Sequence, residues 1–122
     1  MVTMARILVV DDVPDSVRLV AMLLRADKHE VITVESPASA FAILKHHEID
    51  AIIADHNMPG MTGEAFLERV GTLWPHIARL MLTADPRVRN DAGREYPVAY
   101  KPFRAAELRA QVAMLLAGRK TV

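Results

Sequence analysis

Short apolar runs alternate along this chain with stretches whose apolar residues fall at helical spacing. Ile7–Val10 is a continuous run of β-branched and aliphatic residues that stops at Asp11-Asp12. Such a run predicts a strand buried on both faces, as in parallel sheets. Pro14 opens a helix in which Val17, Val20, Ala21 and Leu24 recur, ending near Ala26. Val31–Val34 is a second strand. Ser36 is placed to cap the next helix, with Pro37 at its first position and Ala38, Phe41, Ala42 and Lys45 continuing it. Asp50–Asp55 is a third strand, AIIA between two aspartates, and HNMPGMTG after it is a loop. Phe66, Leu67 and Val70 make Glu64–Gly71 a short helix, and Ile77–Thr83 a fourth strand follows. Asp85–Gly93 predicts a brief helix, capped by Asp85, begun by Pro86 and ended by Gly93. Val98–Tyr100 is the last strand, and Leu108, Val112, Leu115 and Leu116 line one side of the final helix.

Strands that alternate with helices need crossover connections, so the expected class is α/β: a mainly parallel sheet with helices on both faces. In open sheets of this kind the ligand site lies beyond the carboxyl ends of the strands. Asp11, Asp12, Asp55, Thr83 and Lys101 all fall at those ends, on the first, third, fourth and fifth strands.

The chain has 122 residues, 52% hydrophobic and 25% charged, enough for one domain with a core and too few for two. One domain over residues 1–122 is therefore expected. It has no cysteine, which excludes disulfides, thiolate metal sites and cysteine nucleophiles. No apolar run approaches a membrane span, the N-terminus does not read as a signal peptide, and a cytoplasmic setting is expected. Formal charge sums to zero but is divided: residues 1–78 hold 6 Lys/Arg and 11 Asp/Glu, residues 79–122 hold 9 and 4. An acidic first part suits a cation site, and a basic last part suits an anionic partner or a phosphate-sensing surface.

Three carboxylates held together repel one another unless a cation joins them. With no cysteine and no histidine at the matching positions, a hard, oxygen-liganded ion such as Mg²⁺ is the natural guest. Lys101 can pair with a phosphoryl oxygen or, at rest, with Asp55. Thr83 supplies a hydroxyl, and Ala84 is small enough to let its N–H approach a ligand. These are the parts of phosphoryl transfer to an aspartate. Singly, each has another reading. Asp11-Asp12 could cap the first helix, Asp55 could form a turn, and Thr83 could be a strand-end hydroxyl. His46, His47 and His76 read as solvated surface residues and the seven methionines as core filler. The joint placement at strand ends carries the signal.

ILVVDD at 7–12, IIADHNMPGMTG at 52–63, LMLTA at 80–84 and YKPF at 100–103 together resemble the receiver domains of bacterial response regulators, along nearly the whole chain. The resemblance implies a flavodoxin-like (βα)5 fold with strand order 2-1-3-4-5. It implies that Asp55 accepts a phosphoryl group from a sensor histidine kinase, a histidine phosphotransfer protein or a small phosphodonor. Asp12 would bind Mg²⁺ directly, Asp11 largely through water, and the Asn57 carbonyl would add a ligand. Lys101, the Thr83 hydroxyl and the Ala84 amide would hold the phosphoryl oxygens. The same pocket would slowly hydrolyse the acyl phosphate, with Asn57 and Asp85 at positions that tune its lifetime. Phosphorylation would draw the threonine inward, an aromatic on the fifth strand would follow, and a protein-binding surface would change. Such a domain is a switch, not an enzyme with an external substrate. It would bind neither nucleic acid nor membrane itself, and a homodimer is compatible with it.

Two features depart from the family's pattern. The switch aromatic three positions before the lysine is Val98 here; Tyr100, two further on, has the same strand parity, and Tyr96 is also near. Thr83 and Lys101 are 18 positions apart, about one helical turn short of the family spacing. The fourth helix, with Val88 and Ala92 as its apolar pair, is expected to be short. Two other functions stay open. One is a phosphate-independent interaction module that keeps the fold. The other is a phosphohydrolase with an aspartyl nucleophile after the first strand, whose second carboxylate should stand where this chain has Val13.

Overall fold

The computed structural model describes residues 4–89 and 93–118. The elements run β1 (Arg6–Val10), α1 (Pro14–Ala26), β2 (Glu30–Val34), α2 (Pro37–His46), β3 (Ala51–Asp55), α3 (Gly63–Leu73), β4 (Ala78–Thr83), β5 (Val98–Tyr100) and α4 (Ala105–Ala117). All strand pairs are parallel, in the order β2-β1-β3-β4-β5. The flavodoxin-like order anticipated from the motifs is the observed one.

Strand alternation divides the core into two layers. Ile7, Val9, Ile53 and Leu82 point to one face, where Val20, Ala21 and Leu24 of α1 and Leu108, Val112 and Leu116 of α4 cover them. Leu8, Val10, Ile52 and Met81 point to the other, under Ala40 and Leu44 of α2 and Phe66, Leu67 and Val70 of α3. Burial of such side chains contributes about 1.5–3 kcal/mol each, which drives the layering. Ala38, Phe41, Ala42 and Lys45 lie in α2 as expected, and its buried face is Pro37, Ala40 and Leu44. Phe41 is half-buried and packs its ring 5.2 Å from that of Phe66. The methionines are also not uniformly core. Met81 is fully buried, whereas Met4, Met22 and Met114 are exposed. Their flexible thioethers tolerate either setting. His46, His47 and His76 are exposed, as expected.

Between β4 and β5 the brief helix expected over Asp85–Gly93 shrinks to one turn among the described residues. Asp85 does cap, its Oδ1 accepting from the Arg87 N–H at 2.9 Å, and Val88 N–H reaches Asp85 O at 3.2 Å. No helix follows through Arg89. Ala92, half of the expected apolar pair, lies outside the described residues. A single turn fixes several dihedrals for one hydrogen bond, so a helix propagates only where packing repays further turns.

In place of a helix, Tyr96 (5% exposed) covers the end of this layer. The Arg79 guanidinium lies 5.4 Å from its ring centre and that of Arg94 5.6 Å. Arg79 also donates to Leu67 O of α3 at 2.9 Å. Room for it exists because residue 71 is glycine: a Cβ there would stand 2.3 Å from the Arg79 Nη1.

Candidate functional site

The sheet register builds the site. Val10 pairs with Ala54, and Asp55 with Leu82. The ladder continues past the strand ends through Asp11 N–H to Val34 O, His56 N–H to Leu82 O and Lys101 N–H to Thr83 O. Asp11 therefore stands beside Asp55. Alternation then places Asp11, Asp55 and Lys101 on the α1/α4 side of the rim, and His56 and Thr83 on the α2/α3 side.

On the first side, Lys101 Nζ donates to Asp55 Oδ1 at 2.7 Å and to Asp11 Oδ2 at 3.3 Å. Asp11 is 2% exposed, and its Oδ1 accepts from the Val13 N–H at 2.9 Å rather than capping α1. Carboxylate oxygens of Asp11, Asp12 and Asp55 all lie within 4.8 Å of one another. Burial pulls the Lys101 pKa down, but the hydrogen bond and charge of Asp55, with Asp11 adding to them, outweigh it and leave the lysine raised. Three carboxylates against one ammonium leave the cluster net negative. Its donors are all oxygen, which fits a hard divalent cation. Asn57, next to this cluster, is exposed and donates its N–H to Asp55 Oδ2 at 3.2 Å.

On the other side, Thr83 is fully buried and Ala84 exposed. The Thr83 Oγ1 accepts from the Asp85 N–H at 3.0 Å and lies 3.1 Å from His56 Nδ1. His56 Nε2 lies 3.1 Å from Glu64 Oε1. The Asp85 carboxylate is held by the side chain and backbone N–H of Arg87, which draw its pKa down to about 2. Gly63 lets α3 approach this edge. A Cβ there would stand 2.3 Å from Asp55 O, and its N–H donates to His56 O at 2.8 Å. Tyr100 is 41% exposed, its hydroxyl donating to Val88 O at 2.8 Å, while Val98 is buried.

The structure thus brings together Asp11, Asp12, Asp55 and Lys101, with Thr83 and Ala84 on the neighbouring strand end. His56 and Glu64 were not singled out from the sequence. A histidine inside a Gly/Pro loop carries no periodic signal, and its partners become visible only once the strands are aligned. A groove lined by Pro75, Arg79, Gln111, Met114 and Leu115 among others lies by the start of β4 and shares no residue with this site.

Residues 7–113 match the family model described as the response regulator receiver domain. The chain belongs to the response regulator receiver domains. Receiver domains are the signalling modules of two-component systems. Among curated relatives, response regulator protein FleR of Pseudomonas aeruginosa is 33% identical over 113 residues, covering 89% of this chain and 24% of that protein. Hydrogenase transcriptional regulatory protein HoxA of Cupriavidus necator is 37% identical over 79 residues, covering 65% of this chain and 16% of that protein. The chain thus spans a quarter or less of the length of these relatives. Among solved structures, chemotaxis response regulator CheY4 of Vibrio cholerae superposes with a TM-score of 0.83 at 29% identity, covering 93% of this chain and 99% of that one. Response regulator protein TrrA of Thermotoga maritima, solved in complex with Mg(2+)-BeF, gives 0.82 at 29% identity, covering 92% and 99%. No described helix is long and apolar enough to cross a membrane.

Proposed function

We propose that this receiver domain, taken as residues 1–122, is switched by phosphorylation of Asp55. One observation carries the reading: Lys101 Nζ sits 2.7 Å from Asp55 Oδ1, inside a cluster whose other carboxylates, Asp11 and Asp12, lie within 4.8 Å. Asp11, Asp12, Asp55 and the Asn57 carbonyl are the groups to hold Mg²⁺. Bound there, the ion would neutralise charge on the transferring phosphoryl group. Asp55 attacks phosphorus. The new P–O bond forms as the bond from phosphorus to the donor's imidazole nitrogen breaks, and that nitrogen regains a proton. Lys101 exchanges its bond to Asp55 for one to a phosphoryl oxygen. The Thr83 hydroxyl and the Ala84 N–H take other oxygens. Most of the rate then comes from positioning and charge complementarity. A sensor histidine kinase or histidine phosphotransfer protein in the cytoplasm is the donor, and water later cleaves the acyl phosphate in the same pocket.

The test is intact-mass measurement after incubation with a small phosphodonor and Mg²⁺. One phosphoryl group should add to the native protein. None should add to Asp55→Asn, nor to the native protein after chelation. Absence of label where another receiver labels would overturn the reading.

The single turn found among the described residues of the β4–β5 crossover and buried Val98 favour a second reading, in which the fold binds a partner regardless of phosphate. In that case Asp55→Asn leaves partner binding as it was, whereas the first reading requires phosphodonor-stimulated binding to vanish.

A further inference from the structure

We infer that His56 is a positioning residue that ties the state of Thr83 to the segment carrying Arg94 and Tyr96. The inference rests on the phosphorylation reading above and adds a route by which the signal leaves the pocket.

The argument begins with a donor inventory. A threonine hydroxyl has one proton to give and lone pairs to accept with. Here Thr83 Oγ1 accepts from the Asp85 N–H at 3.0 Å. Its other neighbour is His56 Nδ1 at 3.1 Å. The opposite ring nitrogen, Nε2, faces the Glu64 carboxylate at 3.1 Å. A carboxylate only accepts, so Nε2 carries the hydrogen toward Glu64, and in the neutral ring Nδ1 is left to accept. The partners of a histidine fix its tautomer in this way. With the ring neutral, the single Thr83 proton is committed to His56. It cannot also serve a phosphoryl oxygen on Asp55. The two hydrogen bonds exclude each other, and Thr83 must leave His56 when it turns to a phosphoryl group.

The chain of contacts does not stop at His56. Glu64 Oε2 pairs with Arg94 at 3.8 Å. The same Arg94 Nη1 donates to the Tyr96 hydroxyl at 3.4 Å, and its guanidinium covers the Tyr96 ring. Arg94 and Tyr96 lie in the strand-to-strand crossover, where no helix stands between them and α3 among the described residues. The clasp Glu64–Arg94 thus fastens the 93–97 segment to α3. His56 holds one oxygen of the carboxylate that makes that clasp. Release of the imidazole by Thr83 frees it to turn and to draw Glu64 with it, loosening Arg94. Val98, buried where an aromatic would otherwise move, has an aliphatic side chain. Coupling of this sort requires an element with two arrangements that both ends bias, and the exclusive Thr83 proton supplies it.

Two-dimensional NMR of the protein with and without Mg²⁺ plus beryllofluoride tests this, alongside labelling by a small phosphodonor. In the parent, amide resonances of residues 83–85 and of 94–96 should move together, and the His56 ring resonances should show Nδ1 losing its hydrogen bond. His56→Phe removes the competing acceptor, so labelling should quicken roughly two- to tenfold, the worth of one net hydrogen bond. Its 94–96 resonances should no longer respond. His56→Asn keeps an acceptor near the Nδ1 position but cannot reach Glu64. Its labelling rate should stay near that of the parent while the 94–96 response disappears. A merely structural role would move both readouts together. Glu64→Gln, outside the pocket, should keep the parental labelling rate and weaken the 94–96 response, which holds the test open if the His56 variants do not fold. Movement at 83–85 with none at 94–96 in the parent would overturn the inference and leave phosphorylation standing. No movement anywhere would remove both.

Discussion

The crossover from β3 to β4 and the one from β4 to β5 join parallel neighbours in the same sheet, yet they are built differently. The first carries α3, whose Phe66, Leu67 and Val70 are fully buried against the sheet. The second closes one turn at Asp85–Val88 and covers its layer with Tyr96, Arg79 and Arg94. Aliphatic and aromatic burial holds the first. Arginine stems, cation–π contacts and a backbone hydrogen bond hold the second. Apolar burial is the larger contribution per residue, so the described part of the second crossover is held less strongly than α3. The pocket needs only strand ends in register, which both crossovers supply. The surface outside it depends on what each crossover carries.

Substitutions can break this contrast. The largest effect is expected for Phe66→Ala, which should cost about 3–5 kcal/mol in urea unfolding because it empties a fully buried site. Gly63→Ala should follow at about 1–3 kcal/mol, since its Cβ would meet the Asp55 carbonyl oxygen at 2.3 Å and backbone cannot swing aside. In that variant Mg²⁺ affinity measured by titration should fall as well, because the displaced strand end carries Asp55. Arg79→Ala should cost about 1–2 kcal/mol, through the lost bond to Leu67 O and the uncovered Tyr96 ring. Amide exchange in residues 93–96 should rise in the Arg79→Ala variant and not in Phe66→Ala at matched stability. Equal costs for Phe66→Ala and Arg79→Ala would erase the contrast.

The smallest effect is one of pH. Lys101 is raised above its ordinary 10.5 by Asp55 and Asp11 against burial. The contribution of its ion pairs is fully present below that value and is lost as pH rises through the folded pKa. Tyr96 is raised above 10.0 by burial, with Arg94 opposing, so its neutral form also favours the folded state until the unfolded chain ionises. Urea midpoints should therefore hold steady to about pH 10 and decline above it. Lys101→Met should keep only the Tyr96 part of that decline. An unchanged profile in this variant would show that Lys101 does not prefer its charged form in the fold.

Much of this was legible in the chain itself. The continuous runs at Ile7–Val10 and Ala51–Ala54 can be satisfied only between two layers, so strands and parallel order followed from them. Asp11, Asp12, Asp55 and Lys101 were readable because strand ends gather in such sheets. The turn at Asp85 was harder. Its cap and its proline imitate a helix start, and only the lack of an apolar face beyond Val88 argues against propagation. In α2 several alanines make rival stripes equivalent, so spacing alone could not choose Ala40 and Leu44. His56 was hidden for another reason: its meaning comes from Thr83, 27 residues away, and from Glu64 on the next helix.

Strand alternation at the rim has a consequence for how this molecule can change over generations. Asp11, Asp55 and Lys101 look one way from the sheet, while His56 and Thr83 look the other. Substitutions at Glu64 or Arg94 therefore need not touch Asp11, Asp55 or Lys101, although they reach Thr83 through His56. One pleat of backbone lets the side chains that reach α3 vary while the carboxylate and ammonium cluster across the sheet stays as it is.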